Sequence, residues 1–218
     1  MDEGGDMGFL DNKIKDELTQ VFKGLKKEVN IKYFSQEIEC QFCKDTKSLL
    51  LELKEISDKI KLEIFDFVKD KALAGKLGVD KIPAVVVMDD TDYGIKFYGI
   101  PAGYEFASLI EAIKMVSTGK TALNAESKTF LDSLQKDIHL QVFVTPTCPY
   151  CQGAVILAHQ MAFFSPRVRA DMIEATEFPH LSQKYQVMGV PRTVINETVF
   201  QEGAAPENLI INKIKSVL

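Results

Sequence analysis

The chain repeats itself. Cys40 and Cys43 recur 108 residues later as Cys148 and Cys151, and Pro83 recurs at the same distance as Pro191. Each proline also lies 43 residues after the first cysteine of its own unit. A period this long exceeds the roughly 20–50 residues of solenoid repeats, so the pattern marks a duplicated domain. The 218-residue length fits two units of about 100 residues each.

The surroundings of these landmarks repeat as well. Strand-like segments precede both cysteine pairs, at Ile31–Ser35 and Leu140–Val144. Helical periodicity follows each pair, through Leu49, Leu50, Leu53 and Ile56 in one unit and Val155, Ile156 and Ala158 in the other. After each proline comes a strand, then a second strand, a glycine (Gly99, Gly203) and a helix. An indel of about two to four residues near Asp89–Gly94 interrupts the register. Each unit opens with its own helix, expected over 11–29 and 126–138. The sequence Ser117-Thr118-Gly119-Lys120 ends a helical pattern on small and polar residues and divides the chain into units 1–118 and 119–218. The order helix, strand, helix, strand, helix, strand, strand, helix implies an α/β fold, a mixed β-sheet with helices on both faces, in each unit.

A Cys-x-x-Cys pair between a strand and a helix has a physical rationale. The first turn of a helix offers free N–H groups and the positive end of the helix dipole, and both favour a thiolate. The second cysteine lies nearly one turn on and can reach the first sulfur. Cys40 or Cys148 would attack a substrate disulfide, and Cys43 or Cys151 would resolve the mixed disulfide. The competing reading is a zinc site. Such sites usually place their pairs roughly 15–20 residues apart, whereas Cys43 and Cys148 are 105 apart. Pro83 and Pro191 either open strands or form cis peptides facing the cysteines, and their repetition at one distance favours the second.

Composition narrows the classes further. A net charge of −5 argues against nucleic-acid binding. The longest purely apolar run, Ala84–Met88, is far short of a membrane span. The acidic start Met-Asp-Glu-Gly-Gly-Asp lacks the features of a secretory signal, so a cytoplasmic location is expected. Structural disulfides rarely persist there in mesophiles, so the four cysteines call for another role. His139, His159 and His180 do not cluster in sequence, and no metal is expected. Ser117–Thr121 lacks the leading glycine of a phosphate-binding loop and reads as a linker.

Together, Cys40-Gln41-Phe42-Cys43, Cys148-Pro149-Tyr150-Cys151 and the Ile82-Pro83 and Val190-Pro191 loops carry a resemblance. The chain resembles the glutaredoxin-like, two-domain protein disulfide oxidoreductases of thermophiles, relatives of protein disulfide isomerase. Cys-Pro-Tyr-Cys is similar to the glutaredoxin signature. The resemblance implies two tandem thioredoxin-like folds and cis-prolines opposite both pairs. It implies thiol–disulfide exchange that reduces, oxidises or isomerises protein or peptide disulfides. The redox-active disulfides Cys40–Cys43 and Cys148–Cys151 would serve in place of a cofactor. Ile82, Pro83, Val190 and Pro191 would bind the substrate strand. A thioredoxin-reductase-like donor could recharge the pairs, because no flavin-binding glycine motif is present. The tandem arrangement is also similar to the N-terminal domain of bacterial alkyl hydroperoxide reductase flavoproteins. That makes an electron-transfer module the alternative, beside a non-catalytic scaffold holding zinc.

The chain departs from thioredoxin in lacking an acid six residues before either first cysteine, where Phe34 and Val142 stand. Glu39 is a candidate proton acceptor, although its charge would oppose thiolate formation at Cys40. Pro149 suits a helix start, and Arg192 adjoins the second proline, so Cys148 is expected to be the more reactive nucleophile.

Overall fold

Strand residues pointing alternately up and down can fill two cores only if helices cover both faces of the sheet. In the computed structural model, which describes residues 8–218, the first half runs α1 (Asn12–Phe22), β1 (Val29–Ser35), α2 (Cys43–Glu55), β2 (Ile60–Asp66), α3 (Lys71–Lys76), β3 (Ala84–Met88), β4 (Ile95–Tyr98) and α4 (Glu105–Thr118). The second half repeats the order as α5 (Ala125–Asp132), β5 (Ile138–Val144), α6 (Cys151–Phe164), β6 (Val168–Glu174), α7 (Pro179–Lys184), β7 (Arg192–Ile195), β8 (Val199–Glu202) and α8 (Glu207–Lys215). Ile31, Tyr33, Val85 and Val87 join a core with α1, α2 and α4, while Phe34, Ala84, Val86 and Met88 turn to the opposite face beneath α3. All of β3 is buried, as a strand covered on both sides must be.

The opening helices are shorter than expected. Each is capped by a side chain, the Asp11 carboxylate accepting from Ile14 N at 2.8 Å and the Asn124 side-chain oxygen from Ser127 N at 2.8 Å. The first stops at Phe22 and the second at Asp132, because Val29 and Ile138 are needed as buried first residues of β1 and β5.

Each half contains the same four-stranded pattern. β1 and β5 pair parallel with β2 and β6, and antiparallel with β3 and β7, which pair antiparallel with β4 and β8. The halves then join edge to edge. β4 pairs parallel with β6, giving one eight-stranded sheet ordered β2-β1-β3-β4-β6-β5-β7-β8. Both halves are thioredoxin-like mixed sheets, but their second strands differ in fate. β2 is an outer edge, and β6 lies inside the sheet.

Candidate active sites

Both cysteine pairs sit where a strand gives way to a helix, and both are closed as disulfides with Cα–Cα distances of 5.4 and 5.5 Å. Cys43 and Cys151 are the first residues of α2 and α6 and are buried. Cys40 is half-buried, whereas Cys148 is 8% exposed. The first helix turn is fixed from beneath by Tyr33, whose hydroxyl donates to the Cys43 carbonyl at 2.7 Å. Burial pushes the Tyr33 phenol well above its ordinary value, so it stays a donor.

The Ile82-Pro83 and Val190-Pro191 peptides are both cis. One backbone bond recurs at each: Gly99 N donates to Pro83 O at 3.0 Å and Gly203 N to Pro191 O at 2.8 Å. At the second site the loop meets the sulfur, with Cys148 Sγ 3.7 Å from Val190 O. At the first, Cys40 and Cys43 line a cavity of 470 Å³ with Lys44, Lys47, Ile64 and Lys69, and neither Ile82 nor Pro83 reaches its wall.

The register corrects one sequence equivalence. Phe34 pairs with Ala84 and Phe143 with Arg192, so the β1 and β5 positions are offset by 109 residues while the cysteines are offset by 108. Val142 therefore corresponds to Tyr33, not Phe34. The loop before Cys40 carries one extra residue, and within it Glu39 adopts a left-handed φ of 59° and is exposed. Arg192 also has another role than expected. Its guanidinium pairs with Glu202 and stacks 3.9 Å from the Phe200 ring, so its charge is engaged along β8.

Sequence reasoning missed the buried carboxyls between the halves. Glu105, at the head of α4, is 1% exposed. Ser108 Oγ donates to its Oε2 at 2.7 Å, and burial raises its carboxyl to about 7. The residue before it, Tyr104, donates its N–H to Pro146 O, two residues ahead of Cys148. Glu177 accepts from Ile100 N at 2.7 Å and is also raised to about 7, by burial and then by the neighbouring Glu174 charge. An acid in a first helical turn is ordinary in sequence, so only packing reveals Glu105.

Comparison with known proteins matches this geometry. A thioredoxin-domain family model matches residues 138–216. The structure of a protein disulfide oxidoreductase from Aeropyrum pernix is 28% identical over 95% of this chain and 93% of its own, with a TM-score of 0.89. The NTD_N/C domain of the alkylhydroperoxide reductase AhpF from Enterococcus faecalis is 28% identical over 94% of this chain and 99% of its own, with a TM-score of 0.87. The F component of alkyl hydroperoxide reductase from Staphylococcus aureus is 26% identical over 95% of this chain, which spans only 38% of that protein's length. An NADH dehydrogenase from Bacillus subtilis is 25% identical and is likewise covered over 38% of its length. Among the described residues, no helix is long and apolar enough to cross a membrane. With its paired Cys-x-x-Cys disulfides and a likeness running through both halves, the chain is a two-unit thioredoxin-like protein that resembles the Aeropyrum pernix protein disulfide oxidoreductase and the N-terminal domain of AhpF.

Proposed function

We propose that the chain reduces, oxidises or isomerises disulfides of protein substrates, with units 1–118 and 119–218 each carrying one reactive pair. The observation that supports this best is the second site, where Cys148 precedes the buried Cys151 at a helix entrance and its sulfur faces the Val190 carbonyl. Cys148 and Cys40 are the attacking thiolates, and Cys151 and Cys43 resolve the mixed disulfide. The backbone at Ile82-Pro83 and Val190-Pro191 pairs with the substrate strand. Tyr150, inside the second motif, and Met188, two residues before Val190, are 72% and 92% exposed and offer apolar surface suited to unfolded segments.

The test is turnover of a disulfide-bonded protein substrate with dithiothreitol as reductant. Cys148→Ser should lose more activity than Cys40→Ser, and the double variant should lose all of it. The reverse order refutes the greater reactivity expected of Cys148. A second reading draws on the likeness to AhpF: the pairs pass electrons between a flavin reductase partner and an acceptor protein. Rapid reduction of both disulfides by such a reductase with NADH, without dithiothreitol, supports that reading.

A further inference from the structure

The two sites share a scaffold but not a neighbourhood, and the sheet order explains why. Ile64, Phe65, Asp66 and Lys69 lie on or just beyond β2, an outer edge, and Ile64 is 41% exposed. Their counterparts 108 residues on are Met172, Ile173, Glu174 and Glu177. There β4 pairs with β6, so Met172 and Ile173 are fully buried beside Phe97 and Tyr98. The segment leaving β4 then fills the adjoining space: Ile100 N bonds Glu177, and Gly103 packs against Pro146 O. The second site is walled on this flank by the first half. The first site is open on it.

The open flank is the 470 Å³ cavity lined by Cys40 and Cys43. That volume suits a small molecule. Three lysines face it, Lys44 and Lys47 on exposed positions of α2 and Lys69 beyond β2, against two acids, Glu37 and Asp66. Asp66 and Lys69 are committed to each other, Asp66 accepting from Val68 N and Lys69 N and lying 3.5 Å from Lys69 Nζ, which leaves Lys44 and Lys47 against Glu37. Lys44 and Lys47 have no ion-pair partner among the described residues. In the second half these positions hold Gln152 and Val155.

We infer that the first site exchanges with small, carboxylate-bearing disulfides and thiols that enter this lysine-lined cavity, a specificity the second site lacks. The inference rests on the thiol–disulfide exchange proposed above. In the reducing direction, the Cys40 thiolate attacks one sulfur of the small disulfide, whose S–S bond breaks and releases one thiolate. The Cys43 thiolate then attacks Cys40 Sγ, the mixed disulfide breaks, and the second thiolate leaves. Two electrons pass from the cysteine pair to the substrate, and the two protons of the dithiol end on the two product thiols. Opposite charge on the incoming molecule raises its local concentration at the lysines.

The experiment uses the full chain with one pair left intact, Cys148→Ser/Cys151→Ser for the first site and Cys40→Ser/Cys43→Ser for the second. Each is pre-reduced and offered three disulfides of similar size: anionic dithiodipropionate, neutral hydroxyethyl disulfide and cationic cystamine. The first-site protein should react about five- to tenfold faster with the anion than with the neutral compound, and slowest with the cation. Lys44→Gln/Lys47→Gln, and separately about 0.5 M salt, should bring the anion-to-neutral ratio close to one. The second-site protein should show no anion preference. Equal rates for the three at the first site, a cation preference there, or the same anion preference at the second site would overturn the inference. Reaction with the neutral disulfide reports exchange itself. Its failure in both proteins would overturn the exchange reading and this inference with it, whereas normal neutral rates without charge discrimination overturn only the inference.

Discussion

Glu105 holds its proton in the folded chain to about pH 7 but would ionise near pH 4.5 when unfolded. The folded state therefore binds more protons over that window, and its stability falls as pH rises through it. At pH 8 the burial of this carboxylate should cost about 3 kcal/mol relative to pH 4. Glu105→Gln should thus gain urea-midpoint stability over the parent at pH 8 and none at pH 4, and equal gains at both would contradict the assignment. His159 runs the opposite way. Burial lowers it to about 4, so the unfolded state takes up the extra proton and stability is lost as pH falls from about 6.5 toward 4. The difference between variant and parent isolates Glu105 from that slope. Tyr33→Phe removes the bond to the Cys43 carbonyl and should cost about 1–2 kcal/mol in the same measurement.

At the scale of elements, two glycines let the halves meet. Gly103 has a φ of 60°, and a Cβ there would lie 2.3 Å from Pro146 O; Gly99, at 87°, would strike Glu174 Cβ at 2.6 Å. Gly103→Ala should destabilise the chain by about 1–3 kcal/mol, read from its thermal midpoint, because backbone rather than a mobile side chain opposes it. Much of this level was legible in the sequence. The strand–Cys–helix order, both cis-prolines and the glycine after each second hairpin strand followed from spacing and pattern. The shorter indel before Cys40 did not, because equal cysteine offsets concealed a strand shifted by one residue and compensated by Glu39. The hairpin indel was legible: Ala84 faces Tyr98 and Arg192 faces Glu202, so the offset falls from 108 to 104. Arg192 illustrates the limit of reading neighbours in sequence. It adjoins Pro191, yet strand pairing turns its charge to Glu202.

For the whole molecule, a duplicated sequence predicts two folds but says nothing about which edges fuse. The β4–β6 pairing and the packing of α4 on α6 make one sheet of the two halves. Residues 119–218 expressed alone would bare the β6 edge, with Met172 and Ile173 beside it, and unpaired strand edges seek partners. That fragment should self-associate in sedimentation experiments, and mixing it with residues 1–118 should restore a monodisperse pair. A fragment that stays monomeric and folded would show that the seam adds little.

The extended strand pairing also bears on engineering. Grafting Pro-Tyr between Cys40 and Cys43 would copy the dipeptide of the second site but leave an outer strand where that site has a neighbour. Such a chimera should keep the substrate choice of its host position. Identity at these disulfides is conferred by address within the sheet as much as by the four letters of the motif.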